Sequence, residues 1–253
     1  MKGLRPRWLL RLGLFLYDHI GGRRRLPVTR TIDLARHPAG ASLRPGFATG
    51  FEYSDGWVDD ARLVVLNAMD AAEKGAKIFT HTLCESALRE GDHWSAVLRK
   101  QDGQTIHVRA RGVVNAAGPW AASFLQDAVH QRSTKSLRLI KGSHIVVKKL
   151  FDHPYAYIFQ NPDGRIVFAI NYEQDFTLVG TTDLEYTGDT DEVAIDQSEI
   201  DYLCQLTERY FMKPIKPSDV VFFSRTLMTR DEVLTLRTES THGPWWTVSA
   251  RLD

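Results

Sequence analysis

One stretch of nine residues, Val113–Ala121, limits most strongly what this chain can fold into. Val113 and Val114 are apolar and β-branched, which favours a short, buried parallel strand. The residues from Asn115 to Gly118 have little side-chain bulk, and the proline that follows suits the first turn of a helix. The stretch therefore predicts a strand, a turn and a helix, with turn backbone that a ligand can approach closely. An ordinary strand-to-helix turn without a ligand fits the same spacing.

Composition and charge exclude several classes of protein. The 253 residues suffice for one large hydrophobic core or for two smaller ones. The net charge is +1, so nothing in the overall charge points to a nucleic-acid partner. The two cysteines, Cys84 and Cys204, form no CxxC pair, so we expect neither a disulfide framework nor a metal site. A reducing compartment is the corresponding expectation.

The charge is unevenly distributed, because the first 30 residues contain eight lysines or arginines and one acid, Asp18. The apolar run Trp8–Tyr17 follows a basic start. Arg11 interrupts it, no small-residue cleavage site follows, and it falls short of the roughly 20 residues of a membrane-spanning helix. We predict an amphipathic helix, which either lies on an anionic membrane surface or packs against a protein core.

The remaining chain alternates between helical and strand patterns. Residues 22–50 predict a loop, because Pro27, Pro38 and Pro45 interrupt them. Helices are predicted for 58–74 and for 198–211, the second with Asp196 or Ser198 as its N-cap. Strands are predicted, in chain order, for 76–80, 83–89, 94–100, 105–110, 113–115, 143–148, 155–160, 165–170 and 176–180. The first and fifth of these are assigned to a parallel sheet, and the others to a meander and a second antiparallel sheet.

Each of the two long helices is predicted to bury one apolar face. The first helix would bury Ala61, Val64, Val65, Ala68, Ala71 and Ala72. The second would bury Ile200, Leu203, Cys204 and Leu206. Cys204 is then a small core side chain and not a nucleophile.

Three segments resemble a known family of flavoproteins. They are Asn-Ala-Ala-Gly-Pro-Trp-Ala at 115–121, Arg-Leu-Ile-Lys-Gly-Ser-His-Ile-Val-Val at 138–147 and Gly-Thr-Thr-Asp at 180–183. They resemble the FAD-dependent, quinone-reducing (aerobic) glycerol-3-phosphate dehydrogenases, which belong to the D-amino-acid-oxidase-like flavoproteins. The resemblance runs from about Arg5 to about Phe223, with the segments in family order.

The resemblance implies a fold class, α/β (α+β): a partial FAD/NAD(P)-binding Rossmann-like domain with an antiparallel β substrate domain. We divide the chain into a basic amphipathic segment and loop (1–50), the partial FAD-binding domain (51–125), the substrate domain with its helix (126–224) and an altered C-terminal remnant (225–253). The implied reaction oxidises sn-glycerol 3-phosphate to dihydroxyacetone phosphate, with FAD as hydride acceptor and quinone as electron sink. The implied location is cytoplasmic, peripheral on the inner face of the cell membrane.

The resemblance also implies roles for individual residues. The predicted cofactor-binding residues are Asn115, Ala116, Ala117, Gly118, Pro119 and Trp120. His144 is the candidate base for the C2 hydroxyl, although a core or surface histidine without a role is the alternative. Arg230 matches an active-site arginine of the family. Thr182 follows a predicted strand and would reach a ligand there, unless it only forms a local turn.

Two lysine or arginine residues near His144, Arg138 and Lys141, are candidates to bind the substrate phosphate. Solvated surface cations are the alternative for both.

Parts of the family pattern are absent from this sequence. There is no Gly-x-Gly-x-x-Gly fingerprint for the FAD pyrophosphate. Residues 225–228 stand where the family has a Gly-x-Arg-Pro segment, and Ser249–Asp253 replace a Phe-Gly-Gly-Lys-Leu-Thr segment. The expectation is a chain truncated at its N-terminus and altered near its C-terminus. Alone, it should be poorly soluble, bind FAD weakly or not at all, and have little activity.

Two other functions remain open from the sequence. One is another flavoprotein activity, that of an amine- or amino-acid-oxidase relative. The other is non-enzymatic, a remnant that associates with membranes through residues 1–25. The oligomeric state is not determined by the sequence.

Overall fold

Two compact units make up the fold. One joins Met1–Gly56 to Ile140–Met228, and the other contains Trp57–Leu139. The computed structural model describes residues 5–20, 26–131 and 138–230. The predicted mixture of helices and antiparallel sheets is confirmed. The division into four segments that the sequence suggests stays a prediction.

The described residues form four α-helices and eleven strands. The helices are α1 (Arg7–His19), α2 (Asp60–Glu73), α3 (Ala121–Asp127) and α4 (Gln197–Tyr210). The strands are β1 (Arg30–Asp33), β2 (Thr49–Glu52), β3 (Thr82–Glu90), β4 (His93–Lys100), β5 (Thr105–Ala110), β6 (Arg138–Lys148), β7 (Tyr157–Gln160), β8 (Ile166–Tyr172), β9 (Phe176–Gly180), β10 (Leu184–Tyr186) and β11 (Val220–Arg230). Short 3-10 helices lie at Pro38–Gly40, Gly118–Trp120 and Pro217–Asp219.

The first unit is built on a six-stranded sheet with the order β10-β6-β9-β8-β7, in which β11 also pairs with β6. The pairs of β6 with β9, β9 with β8 and β8 with β7 are antiparallel. Alternate residues of these strands, such as Val147, Val167 and Val179, are completely buried. They belong to one core with Leu203 and Cys204 of α4, so the predicted core position of Cys204 is confirmed. More and less buried positions alternate in β7, β8 and β9, which is the period of a strand, whereas β6 is buried at almost every position from 140 to 147.

The second unit contains the predicted meander. Strands β3, β4 and β5 pair in sequence order, and Gln101–Gln104 connects the last two. The packing face carries Ala87, Trp94 and Ala96, which contact Leu125 in α3. A single sheet face is thereby covered by one short helix.

Three local predictions were wrong. Residues 76–80 and 113–115 form no strand, because a parallel strand needs a neighbour for its N–H and C=O groups and no described residue pairs with either segment. Residues 22–50, predicted as loop, contain β1 and the start of β2, which pair antiparallel. The prolines of this region all lie outside the two strands, so they do not disturb the pairing.

The face of α2 that the sequence predicts as buried is exposed in the described part of the chain. Val64 is 68% exposed and Val65 is 56% exposed, and no residue of α2 is buried. The helix itself forms where it was predicted, with Asp59 as its N-cap. The apolar periodicity therefore predicted the position of the helix correctly, but it did not predict the exposure of its apolar face.

The predicted amphipathic helix near the N-terminus is confirmed as α1. Its side chains are tied to the rest of the first unit by polar contacts, among them Arg11 Nη1 to Thr29 Oγ1 (2.9 Å) and Tyr17 Oη to the Ser54 carbonyl (3.0 Å). None of its residues is buried, so the alternative of a core-packed helix does not apply to the described residues. No helix in the described ranges is long and apolar enough to cross a membrane.

Helix α4 begins with a reciprocal cap. The Asp196 carboxylate accepts a hydrogen bond from the Glu199 N–H (3.0 Å), and Glu199 Oε2 accepts one from the Asp196 N–H (3.0 Å). Hydrogen bonds from Ser198 and from the Glu199 N–H lower the pKa of Asp196 to about 2. The sequence predicted Asp196 or Ser198 as the N-cap, and the structure selects Asp196.

We expect Asp196→Ala to lower the free energy of unfolding by about 1–2 kcal/mol at neutral pH, because the cap is lost. The exposed Glu208→Ala in the same helix is the matched control and should change it little. The stabilisation by Asp196 is fully present above its ordinary pKa of 3.8 and is lost as the pH falls toward 2. Chemical denaturation at several pH values measures both effects, and equal loss in the two variants would contradict the prediction.

Candidate functional site

The candidate base, His144, lies in the middle of β6, at the half-buried position of the otherwise buried run 140–147. It pairs with Gly180 of β9. The imidazole packs directly over this glycine, since a Cβ atom at Gly180 would lie 2.2 Å from His144 Cδ2 and 2.6 Å from Cγ. Only glycine permits so close an approach, so Gly180 determines where the ring lies.

Burial lowers the pKa of His144 from its ordinary value of 6.5, because desolvation penalises the charged imidazolium. The ring is therefore neutral at neutral pH, with a lone pair on one of its nitrogens. This is the protonation state that a general base needs before it takes a proton from an alcohol.

Thr182 lies immediately beyond β9 and is 1% exposed. Its hydroxyl donates to Glu199 Oε1 (2.8 Å) and accepts from the Ser143 N–H (2.8 Å). The Thr182 N–H in turn donates to the Ser143 carbonyl (3.2 Å). The structure thus brings Thr182 next to the strand segment that carries His144, with its only hydroxyl hydrogen already donated inside the protein.

Lys141 is a buried partner of an ion pair and not a surface cation. Its Nζ lies 2.7 Å from Glu199 Oε2 and 3.5 Å from Asp196 Oδ2, and it donates to the Ala194 carbonyl (3.0 Å). Burial lowers the pKa of Lys141, but its hydrogen bond to Glu199 and the charges of the two acids outweigh this and raise it. The ammonium group of Lys141 is therefore paired inside the protein. Arg138, at the start of β6, is exposed.

Sequence reasoning missed two residues of this region, Glu199 and Ser143. Glu199 is 2% exposed, and Ser143 is fully buried with its Oγ donating to Glu199 Oε1 (2.9 Å). The predicted N-cap of α4 placed Glu199 in the first turn of the helix, but it gave no sign that its carboxylate reaches β6. The 56 residues between Glu199 and Ser143 explain why no local pattern reveals the contact.

The small-residue turn Asn115–Gly118 lies in the second unit. Asn115 fixes it from both sides, since its Oδ1 accepts from the Ala117 N–H (3.2 Å) and its Nδ2 donates to the Ala121 carbonyl (2.8 Å). Gly118 has φ +54°, and a Cβ atom there would meet nothing within 4 Å. The predicted helix after the turn is α3, entered through the 3-10 turn Gly118–Trp120.

The surface of this turn suits a flat aromatic cofactor. Val114 is 60% exposed and Trp120 is 45% exposed, so apolar groups flank a backbone that carries almost no side-chain bulk. Such a surface can contact the face of a flavin ring without steric conflict, while Asn115 keeps the backbone in place. The residues present therefore fit FAD.

Some predicted residues lie where the structure gives no side chain. Arg230 is the last residue of β11, and its side chain is outside the described residues. The altered segment 231–253 and the three arginines Arg23, Arg24 and Arg25 also lie outside them. Among the residues that are described, no group of histidine, cysteine and acidic side chains could hold a metal ion.

The contact between His144 and Gly180 can be tested by a double-mutant cycle. We expect Gly180→Ala to lower the free energy of unfolding by about 1–3 kcal/mol, because the new methyl group overlaps the imidazole. In a His144→Ala background the same change should lower the free energy of unfolding clearly less, since the ring is absent. Chemical denaturation of the four proteins gives the coupling energy.

The matched control for this cycle is Gly13→Ala in α1, where a Cβ atom would meet nothing within 4 Å. It should leave the stability unchanged or raise it by up to about 1 kcal/mol. Gly180→Ala could also lower the free energy of unfolding by the same amount with and without the imidazole. That result would show that the ring does not occupy this position.

Comparisons with known proteins show to which family the chain belongs. The model of the FAD dependent oxidoreductase family matches residues 5–237. The D-erythritol 1-phosphate dehydrogenase of Brucella abortus is 50% identical over 218 residues, which cover 86% of this chain and 43% of the relative. The glycerol-3-phosphate dehydrogenase of Pseudomonas aeruginosa is also 50% identical, and the match covers 86% of this chain and 42% of the relative. The aerobic glycerol-3-phosphate dehydrogenase of Escherichia coli is 42% identical over an alignment that covers 95% of this chain and 50% of the relative.

Solved structures extend the comparison to the fold. The glycerol-3-phosphate dehydrogenase from Bacillus halodurans complexed with FAD has a TM-score of 0.63 at 28% identity, over 72% of this chain and 37% of that one. The L-alpha-glycerophosphate oxidase from Mycoplasma pneumoniae with FAD bound has a TM-score of 0.67 at 15% identity, which shows a shared fold. The chain spans about half the length of the curated relatives it matches. It belongs to the FAD dependent oxidoreductase family, as its sequence predicted.

Proposed function

We propose that this chain carries the substrate side of an enzyme that oxidises sn-glycerol 3-phosphate to dihydroxyacetone phosphate, with a quinone as the final electron acceptor. The observation that carries the proposal is the position of the His144 imidazole, which lies over Gly180 at the half-buried position of β6, where burial lowers its pKa. The names of the relatives from Pseudomonas aeruginosa and Escherichia coli supply the substrate.

In this proposal His144 takes the proton of the substrate's C2 hydroxyl on its unprotonated ring nitrogen. Bound FAD supplies the acceptor for the hydride that leaves C2. The turn Asn115–Trp120 would hold the flavin ring on its apolar surface. The low pKa of His144 keeps the base unprotonated at neutral pH, so no proton has to be lost before substrate binds.

The substrate phosphate needs cations other than Lys141, because that lysine is paired with Glu199. We propose Arg230 for this task, since its position matches an active-site arginine of the family. A guanidinium group can donate two parallel hydrogen bonds to a phosphate, which also fixes the orientation of the substrate.

A second polyol phosphate is a candidate substrate for the same site. The relative from Brucella abortus, named D-erythritol 1-phosphate dehydrogenase, is as similar to this chain as the relative from Pseudomonas aeruginosa. Both compounds present a phosphate and a secondary alcohol, so His144 and an arginine would serve either one.

The test supplies excess FAD to the purified chain and measures oxidation of both polyol phosphates with an artificial electron acceptor. We expect weak FAD retention after desalting and slow turnover. His144→Gln should lower that turnover by about 100-fold or more, because the base is lost. His107→Gln, an exposed histidine of the second unit, is the matched control and should not change it.

The pH dependence adds a second readout. Turnover should fall on the acid side with a midpoint below 6.5, since protonation removes the base and burial holds its pKa down. Absence of turnover of both compounds at saturating FAD would overturn the proposed activity for this chain. Turnover that is equal in His144→Gln and in the unaltered protein would overturn the role of His144.

We also propose that α1 lies on an anionic membrane surface, where the chain would meet its quinone. Trp8, Leu12, Phe15 and Leu16 recur on one face of the helix and are 47–68% exposed. Basic residues flank this face, which favours anionic headgroups.

Co-sedimentation with phosphatidylserine-containing vesicles tests this surface. We expect the double variant W8A/F15A to lose most of the binding, because the inserted apolar side chains are removed. The matched control V64A/M69A removes equally exposed apolar side chains from α2 and should bind normally. Loss of binding in both variants alike, or no binding by the unaltered chain, would contradict the proposal.

A further inference from the structure

A buried carboxylate, Glu199, contacts residues that neighbour the proposed base along the chain, and it has no part in the reaction described so far. Its Oε1 accepts from the hydroxyls of Ser143 (2.9 Å) and Thr182 (2.8 Å). Its Oε2 accepts from Lys141 Nζ (2.7 Å) and from the Asp196 N–H (3.0 Å). Four donors from β6, from the turn after β9 and from the start of α4 therefore meet on one side chain that is 2% exposed.

So many donors make the burial of this charge tolerable. An ionised carboxylate without partners would be very costly in a buried position, whereas a paired and fully hydrogen-bonded one is not. Because α4 begins at this carboxylate, the helix cannot shift without breaking contacts to β6 and to the turn. Glu199 thus fixes three segments relative to one another.

These contacts lie directly next to His144. Ser143 precedes it in β6, and Thr182 follows Gly180, the pairing partner of His144, by two residues. Ser143 and Thr182 also bond to each other through the Ser143 N–H to Thr182 Oγ1 (2.8 Å) and the Thr182 N–H to the Ser143 carbonyl (3.2 Å). The backbone on both sides of the imidazole is therefore tied to the same carboxylate.

We propose that Glu199 is a positioning residue for His144: by holding the hydroxyls of Ser143 and Thr182, it keeps the imidazole over Gly180. The proposal rests on the function proposed above, in which His144 is the base. Thr182 then acts through this network and does not touch the substrate, since its hydroxyl hydrogen points to Glu199. Glu199 itself has no access to a substrate at 2% exposure.

A positioning role differs from a purely stabilising ion pair in what it predicts for the imidazole. A stabilising pair changes the free energy of unfolding and leaves the environment of His144 in the folded protein as it was. A positioning residue changes that environment when it is altered. Displacement of a catalytic group by about 1 Å can lower a rate by about 100-fold, so small shifts of this ring would be visible in turnover.

The test follows the His144 ring by NMR in the purified chain, which needs neither flavin nor substrate. The chain has nine histidines, so the signal is assigned by its disappearance in His144→Gln. We expect Glu199→Gln to shift the ring signals and to move the titration midpoint up toward 6.5, because a displaced ring is better solvated. Glu208→Gln, an exposed acid of the same helix, is the matched control and should leave both unchanged.

A second variant separates the hydroxyl contacts from the ion pair. Glu199→Gln leaves the ammonium of Lys141 buried without its carboxylate, whereas Thr182→Val keeps the ion pair and removes one hydroxyl. We expect Thr182→Val to shift the His144 signals as well. The double variant K141M/E199Q removes both charges but keeps an amide oxygen for the two hydroxyls, so the signals should return toward those of the unaltered chain.

The outcomes distinguish this inference from the proposed function. Folded Glu199→Gln and Thr182→Val proteins with unchanged His144 signals would overturn the positioning role, whatever the turnover. Shifted signals, together with a turnover that falls about 10-fold or more in Glu199→Gln at nearly unchanged KM, would support it. Shifted signals in a chain that never oxidises either polyol phosphate would overturn the proposed function and leave the link between Glu199 and His144 in place.

Discussion

The antiparallel pairing of β6 with β9 is the interaction on which the first unit depends. It places His144 opposite Gly180 and buries Ile145 and Val147 of β6 and Val179 of β9 in one core with residues of α4. Because side chains alternate between the faces of a strand, a slip by one residue would exchange the buried and exposed sets. The close fit of imidazole over glycine and the packing of the core therefore fix the same register, and the one supports the other.

The charged groups near this pair of strands also depend on contacts with each other. Lys141 and Glu199 would each be expensive to bury alone, and they are tolerated because they meet each other and are hydrogen-bonded to backbone or hydroxyl groups. This arrangement changes how the sequence segment around His144 should be understood. Its lysine is a structural cation, whereas its histidine is the base of the proposed function.

Sequence reasoning reached those parts of the structure that depend on neighbours along the chain. Apolar periodicity gave the meander, the strands of the larger sheet and α4 with its Asp196 cap. It failed where the partner is distant or outside the described residues: 113–115 did not pair as a strand, and the face of α2 is not covered. The contact of Glu199 with Ser143 was hidden for the same reason, since the two residues are 56 positions apart.

The first unit is discontinuous in sequence, which has a consequence for the order of folding. The backbone N–H of Arg44 donates to the Tyr210 carbonyl (2.8 Å), and Leu43 forms a bridge with Phe211. The meander β3–β5 and α3 find their partners within a few dozen residues, so they can form on the ribosome while Leu43 and Arg44 still lack theirs. The segment around Leu43 must then wait, exposed to chaperones and proteases, until α4 has been synthesised.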